Sequence, residues 1–124
     1  MPYLYCHKKS EMHELSIAMS IVDIAADYAV RDHAKCVTEI EIEVGTLAGV
    51  VIDALDFAME AAIKNTICEG AKWKIIEIVA RGSCPGKNKS YEISDLFSPC
   101  PYCGRYGHEL TQGKELRVKS LMVD

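Results

Sequence analysis

Two stretches of the chain carry apolar residues at the spacing of one helix face. The apolar positions of the first stretch, residues 12–31, are Leu15, Ala18, Val22, Ala25 and Ala29. Those of the second, residues 53–64, are Leu55, Ala58, Met59, Ala62 and Ile63. Residues three or four positions apart share one side of an α-helix, so both patterns predict amphipathic helices that pack on a core. Ser10 is a candidate N-cap of the first helix.

Between the two helices, residues 37–44 alternate between apolar and polar side chains. Ile40, Ile42 and Val44 share one face, and three glutamates share the other. This period of two predicts a strand with one buried face, and the acidic face is interpreted as a solvated surface rather than a cation site. Residues 72–79 and 116–123 are two further predicted strands.

Length and charge narrow the class of protein. A chain of 124 residues suffices for one modest core. Its net charge of −4 and its lack of any Lys or Arg run argue against nucleic acid as a main partner. No apolar run approaches the roughly 20 residues that span a bilayer, and the first eleven residues lack the apolar region of a signal peptide. We therefore expect a cytoplasmic protein with no membrane partner.

The expected compartment decides how the six cysteines are interpreted. A reducing cytosol disfavours a disulfide framework, so metal binding or redox chemistry becomes the better hypothesis. Three of the six cysteines lie in residues 81–113, which are rich in Gly, Pro, Ser and Lys and poor in aliphatic side chains. Such a segment cannot build a hydrophobic core of its own, so it needs a cross-link such as a bound metal ion to fold stably.

The most specific local signal is Cys100-Pro-Tyr-Cys103, followed by Gly104. Two thiolates at this spacing can reach one metal ion, and the glycine lets the backbone turn back toward them. Cys84 lies sixteen residues earlier, at the separation expected for the other half of a zinc ribbon. Its partner is missing, because Lys87 occupies that position and a protonated Lys has no lone pair to donate.

Several residues are candidates for the fourth zinc ligand. His108 is the nearest, since three cysteines and one histidine form an accepted structural zinc set. Cys6, His7 or a neighbouring molecule are the alternatives. In the contrary interpretation, Cys84 and His108 are ordinary loop residues and the remaining pair binds zinc weakly.

These elements predict an α+β fold with two helices packed on a sheet of about three strands. Residues 12–80 and 112–124 form the main domain, and residues 81–111 form a zinc-ribbon-like subdomain inserted before the last strand. Residues 1–11 are interpreted as a loose arm or a misassigned start.

Cys-Pro-Tyr-Cys also resembles the active site of a glutaredoxin, which makes a thiol–disulfide oxidoreductase an alternative function. A redox pair of this kind sits at a helix N-terminus, where the helix dipole lowers the thiol pKa. Here the motif comes late in the chain and is followed by Gly104-Arg-Tyr-Gly107 rather than a helical pattern. The sequence therefore favours the zinc interpretation.

Met12-His13-Glu14 begins the first predicted helix and is a second candidate metal site. If Met12 were the first residue, its amine, the next amide nitrogen and the imidazole would form a nitrogen set suited to Ni(II) or Cu(II). From spacing alone, an exposed histidine in a frayed first turn is the simpler interpretation.

Four motifs together resemble the hydrogenase nickel-incorporation family, the HypA-type metallochaperones. They are Met12-His-Glu-Leu-Ser-Ile-Ala, Glu41-Ile-Glu-Val-Gly45-Thr-Leu, Cys100-Pro-Tyr-Cys103 and Gln112-Gly-Lys-Glu-Leu-Arg-Val-Lys-Ser-Leu121. The resemblance implies a nickel-binding domain with an inserted zinc domain. It also implies a non-catalytic carrier that delivers Ni(II) to a hydrogenase large subunit, in some cases to urease, with a nickel-handling GTPase as partner.

The resemblance also implies site residues. It assigns the nickel ligands to His13, the Met12 backbone nitrogen and Glu14. It assigns the structural zinc ligands to Cys84, Cys100 and Cys103. The arm departs from the family pattern because it turns the Met12 amine into an amide. Either translation starts at Met12, which we favour, or Cys6 and His7 substitute for the amine. The alternative from another class is a zinc-ribbon protein-interaction module without nickel. The sequence does not identify the recipient enzyme, and it is compatible with a homo-oligomer.

Overall fold

A computed structural model shows two helices and six strands in the described part of the chain. It describes residues 2–95 and 97–124, and the side chains of the long first helix from His13 onward. The elements in chain order are α1 (Pro2–Arg31), β1 (Val37–Gly45), α2 (Ile52–Ala62), β2 (Lys72–Ile78), β3 (Arg81–Cys84), β4 (Lys89–Glu92), β5 (Glu109–Gln112) and β6 (Leu116–Val123).

The main sheet has the strand order β2-β1-β6. Strand β1 is parallel to β2 and antiparallel to β6. A parallel neighbour requires a crossover, and α2 supplies it between β1 and β2. The helices and the three main-sheet strands predicted from periodicity are confirmed, and β6 has the predicted bounds.

The main core lies between the two helices and this sheet. The apolar face of β1 and the inner faces of α1 and α2 contribute most of its side chains. Its largest fully buried apolar side chains include Ile40, Ile42, Leu55 and Met59. Burial of this apolar surface explains why the periodic segments fold as predicted.

The opposite face of β1 interacts with the edge strand β6. Glu43 Oε1 accepts a hydrogen bond from Arg117 Nε at 2.6 Å, and Glu41 Oε1 accepts one from the Ser120 hydroxyl at 2.7 Å. Two of the glutamates on this face are therefore used in cross-strand pairs.

A second sheet, ordered β4-β3-β5, occupies the inserted subdomain. Sequence periodicity did not reveal its three strands, because each has only four residues. A small cluster of buried residues supports the sheet, and two of its members are cysteines. The cluster consists of Ala80, Cys84, Tyr91, Ile93 and Cys100. The division of the chain at residues 81 and 111 stays a prediction.

Two glycines let the main sheet and the second sheet meet closely. A Cβ on Gly45 would lie 2.0 Å from the Gly113 carbonyl oxygen, and a Cβ on Gly113 would lie 2.5 Å from Ala80. Gly113 also has a φ of +122°, which side-chain-bearing residues rarely adopt. The junction is closed by hydrogen bonds from the Leu47 amide to the Gly113 carbonyl and from the Ala80 amide to the Thr46 hydroxyl.

Helix α1 starts earlier than the sequence predicts. It begins at Pro2, so the expected loose arm is helical from that residue and the Ser10 N-cap prediction is wrong. Proline is tolerated in a first helical turn, and residues 3–11 contain neither Gly nor Pro to interrupt the helix. Among the described helices, none combines the length and apolar character needed to cross a membrane.

Candidate metal centres

Three thiols meet in the inserted subdomain. The sulfur atoms of Cys84, Cys100 and Cys103 all lie within 4.8 Å of one another, and we call these residues the cysteine group. Cys84 ends β3, whereas Cys100 and Cys103 lie beside or within a turn between β4 and β5. Cys84 and Cys100 are buried and Cys103 is exposed. The structure thus brings together the three residues predicted to hold zinc.

Backbone hydrogen bonds shape the turn that carries Cys100. The Cys100 amide donates to the Arg105 carbonyl at 2.8 Å, and the Gly104 amide donates to the Cys100 carbonyl at 2.9 Å. The Tyr102 amide points at the Cys100 sulfur, 3.4 Å away. Gly104 has a φ of +73°, which a residue without a Cβ adopts readily. The turn has the form that the Cys-x-x-Cys-Gly spacing predicts for a metal knuckle.

The turn also changes the acidity of the thiols. Burial opposes ionisation of Cys100, but N–H donors from Cys103 and Tyr102, with hydrogen bonds to the other two thiols, lower its pKa to about 7. Burial raises the pKa of the Cys84 thiol, partly offset by the Lys87 amide. Cys100 therefore ionises more readily than Cys84, and the thiolate is the form that binds a metal.

His108 lies beside the cysteine group without joining it. Its Nδ1 is 2.8 Å from the Tyr91 hydroxyl, and Tyr91 in turn lies near the Cys100 thiol, which after burial helps to raise the Tyr91 pKa. Among the described residues, the metal-ligand group comprises the three cysteines alone, so His108 is not placed as a fourth ligand. The imidazole instead supports Tyr91, whose pKa is raised by burial and by the neighbouring Cys100 thiol.

The cysteine group fits zinc at three of four tetrahedral positions. Zinc prefers sulfur and nitrogen donors, and sets rich in cysteine are typical of structural sites. Lys87 stands where the fourth thiolate would lie in a zinc ribbon, and its side chain is exposed. The side chains of Cys6 and His7, the other candidate ligands, lie outside the described ones.

The predicted nickel residues lie in one helix but in different surroundings. The His13 side chain is exposed on α1, at a groove of about 280 Å³ between this helix and the start of β6. Glu14, the next residue, is buried, and its Oε2 accepts a hydrogen bond from the Val51 amide at 3.1 Å. Its Oε1 has no hydrogen-bond partner among the described side chains and backbone groups. Met12 lies inside α1, where a backbone nitrogen is a helical amide.

Two residues important to these centres were missed or given another role in the sequence interpretation. Tyr91 was not singled out, because its position in a short polar strand carries no periodic signal. Glu14 was assigned to nickel, although its carboxylate contacts the start of α2. The N-cap residue of α2 is Val51, whose side chain makes no cap hydrogen bond, and no local sequence signal links that position to Glu14.

The structure disfavours the thiol–disulfide oxidoreductase alternative. In the described residues after Cys100, the chain forms a turn, bends and strand β5, with no helix starting at the motif. The helix N-terminus that lowers a redox thiol pKa is therefore lacking in residues 97–124. Backbone amides of the knuckle take that role for Cys100, as they do in metal sites.

Fold and site together define a class of protein: an α+β domain that carries a small second sheet with three cysteines placed to hold a metal. Residues 12–123 match the family described as hydrogenase/urease nickel incorporation, metallochaperone, HypA. The chain belongs to the HypA family of nickel metallochaperones for hydrogenase and urease maturation. The family indicated by the four sequence motifs is confirmed.

Curated relatives match over nearly their whole length. The hydrogenase maturation factor HypA of Parabacteroides distasonis is 44% identical over 112 residues, covering 90% of this chain and 97% of that protein. The HypA of Geobacter metallireducens is 41% identical over 113 residues, covering 91% of this chain and 100% of that protein.

Solved structures share the fold. The solution structure of the Ni metallochaperone HypA from Helicobacter pylori has a TM-score of 0.64 at 19% identity, covering 89% of this chain and 96% of that one. A second solution structure, of a HypA protein, has a TM-score of 0.67 at 21% identity, covering 90% of this chain and 96% of that one. The predicted α+β fold class is confirmed.

Proposed function

We propose that this protein binds Ni(II) through His13 and delivers it during hydrogenase maturation, and in some settings to urease. The observation that carries the proposal is the exposure of His13 beside the fixed residue Glu14. A carrier must release its cargo, so an accessible imidazole suits transfer better than an enclosed site. Imidazole is a suitable ligand for nickel.

Glu14 has a positioning role in this proposal. Its carboxylate is held by the Val51 amide, which fixes the turn of α1 that presents His13. The nickel site then sits on a helix anchored to the core rather than on a loop. A rigid support of this kind keeps a ligand in its productive orientation.

The Met12 backbone nitrogen is the second proposed nickel ligand, and its chemistry depends on what precedes it. Within α1 it is an amide, which gives up its proton only with strong assistance from the metal and would leave its helical hydrogen bond. In a chain that begins at Met12 the same nitrogen is an amine with a pKa near 8. We therefore expect tighter nickel binding by that shorter chain.

The cysteine group is proposed to hold structural zinc. Its three thiolates would staple β3 to the turn that contains Cys100, in a subdomain whose apolar cluster is small. The zinc would thereby order the inserted subdomain, which is proposed to dock partners. The proposed partners are a nickel-handling GTPase of the maturation pathway and the hydrogenase large subunit.

Nickel titration calorimetry of residues 12–124 tests the role of His13. We expect one Ni(II) per chain, and loss of this binding in His13→Gln. The matched control is His33→Asn, which changes an exposed histidine just beyond the other end of α1. His33 has a φ of +55°, and asparagine tolerates that conformation better than most residues. Unchanged nickel affinity in His13→Gln would refute the proposed site.

The full chain supplies the second comparison. Its nickel affinity should be lower than that of residues 12–124 by at least about tenfold, equivalent to about 1.4 kcal/mol. Equal affinities would mean that the Met12 nitrogen is not a ligand, while the His13 result would still decide whether the imidazole is.

A further inference from the structure

We propose that the cysteine group holds its zinc with an open fourth position that takes a thiolate from another molecule. The inference rests on the proposed zinc site and goes beyond it, because it assigns a ligand-binding function to that site. It starts from Lys87, which leaves three sulfur atoms within 4.8 Å of one another and no fourth in their group among the described residues.

The backbone at Lys87 keeps the knuckle arrangement although the donor atom is missing. The Lys87 amide donates to the Cys84 carbonyl at 3.2 Å, and it also forms a hydrogen bond that lowers the pKa of the Cys84 thiol. The turn Cys84-Pro-Gly-Lys87 therefore still wraps toward the sulfur. A thiol introduced at position 87 should reach the metal, whereas the lysine side chain is exposed.

A cavity adjoins the three sulfurs and gives a ligand access. It measures about 280 Å³ and includes Cys84, Cys100, Cys103, Arg105 and Glu109 in its lining. This volume greatly exceeds the roughly 30 Å³ that one water occupies in the liquid, so a small thiol can enter. An open position on three protein ligands is the arrangement by which zinc sites accept an exogenous ligand.

One cation beside the cavity partly offsets the negative charge of an anionic donor. Zinc bound to three thiolates carries one net negative charge, and a fourth thiolate would add a second. Arg105 lines the cavity and offers a compensating cation. A thiolate is also a stronger ligand for zinc than the water it would displace. On binding, the thiol loses its proton to solvent and the water leaves, so the metal keeps its oxidation state.

Among the residues whose side chains are described, two could close the position instead. His108 is engaged with the Tyr91 hydroxyl through Nδ1 and lies outside the three-sulfur group. Glu109 borders the same cavity, and its carboxylate is also absent from that group. Neither residue occupies the fourth position in this arrangement, so both become variants for the test.

The experiment replaces zinc by Co(II) in the full chain and records its charge-transfer and d–d absorption spectra. We expect a three-thiolate spectrum that changes to a four-thiolate spectrum when N-acetylcysteine is added, with saturation. Lys87→Cys is the matched variant: it should show four thiolates from the start and no response to added thiol. Arg105→Gln should keep the three-thiolate spectrum and require at least about tenfold more thiol.

Protein concentration distinguishes the source of the thiolate. If the four-thiolate spectrum grows with protein concentration and no added thiol, the donor is a cysteine of a second copy, which supports the proposal. If only N-acetylcysteine produces it, the donor is a small thiol, which also supports the proposal. Four thiolates at all concentrations without added thiol would mean an internal ligand and would overturn it.

The remaining outcomes separate the open position from the zinc site itself. A three-thiolate spectrum that ignores added thiol would overturn the open position while leaving the zinc site intact. If Glu109→Gln or His108→Gln then gains the response, that residue is the closing ligand. If the cysteine group bound neither Co(II) nor Zn(II), the zinc site and its open fourth position would both be overturned. The nickel titration at His13 would still test the proposed nickel site independently.

Discussion

The carboxylate of Glu14 binds the amide of Val51 at the start of α2, 3.1 Å away. Val51 is the N-cap residue of α2, and its own side chain cannot accept a hydrogen bond. In a capping box, a glutamate at the third helical position binds the N-cap amide, but α2 has Ala54 there. Glu14 accepts the hydrogen bond of the N-cap amide from a different helix, α1. It thereby links α1 to α2 next to the proposed nickel ligand His13.

Glu14→Ala should lower the free energy of unfolding by about 2 kcal/mol. The change removes a part-buried hydrogen bond to the α2 start and truncates the buried Glu14 side chain, a loss of about 1–3 kcal/mol. Glu14→Gln should cost less, because an amide oxygen can still accept the bond. Urea denaturation of the three proteins measures the differences.

The control for Glu14 is Glu60→Ala, since Glu60 is an exposed glutamate on α2. Its change should stay within about 0.5 kcal/mol, as is usual for surface positions. If Glu14→Ala were equally harmless, the contact with Val51 would not contribute to holding α1 against α2.

Gly45→Ala should destabilise the protein by more than about 2 kcal/mol. An added Cβ would meet the Gly113 carbonyl at 2.0 Å, and the neighbouring groups there are backbone atoms that cannot move aside cheaply. The matched control is Gly86→Ala, where a Cβ would meet nothing within 4 Å. Thermal unfolding of both variants tests this, and equal melting temperatures would show that the junction tolerates a side chain.

In the zinc-free protein, Cys100 should ionise near pH 7. Because its folded pKa is about 7 against an ordinary value of 9.0, this thiol contributes stability that is present above pH 9 and is lost as pH falls through 7. Ultraviolet absorbance of the thiolate, followed during pH titration, should show a step near 7 that disappears in Cys100→Ser. Cys68→Ser should retain the step, since Cys68 is buried in the main core and its own pKa is raised by burial. A step that survives Cys100→Ser would assign it to another group.

Removing zinc should loosen the inserted subdomain and spare the main domain. The subdomain cluster has five buried residues, two of which are cysteines of the metal group. A structural zinc site contributes about 10–16 kcal/mol in small peptides, so without it this small sheet should open more often than the main sheet. Hydrogen exchange after chelation should quicken at the amides of β3 and β5 while those of Ile40 and Ile42 stay protected. Exchange that quickens equally in β1 would contradict this division.

Periodicity predicted the parts of the fold that bury one regular face. Ile40, Ile42 and Val44 alternate in β1, and Leu55 and Met59 are four positions apart in α2, so each pattern identifies its element directly. The cysteine group was predicted by spacing, because two thiolates on one turn must reach the same ion.

The remaining features depend on contacts between distant segments. The hydrogen bond from Val51 to Glu14 joins residues 37 positions apart, and neither position carries a local signal for the other. Tyr91 and His108 likewise meet only when β4 approaches the segment before β5. Local rules also missed the early start of α1, since residues 2–11 have no apolar period.

The central claim, that His13 carries nickel apart from the cysteine group, is tested most directly by nickel X-ray absorption spectroscopy. The sample is zinc-loaded protein of residues 12–124 with one equivalent of Ni(II). We expect nitrogen and oxygen ligands only, with outer-shell scattering from an imidazole that is lost in His13→Gln. Sulfur ligation of the nickel, or an imidazole signal unchanged in His13→Gln, would contradict the account.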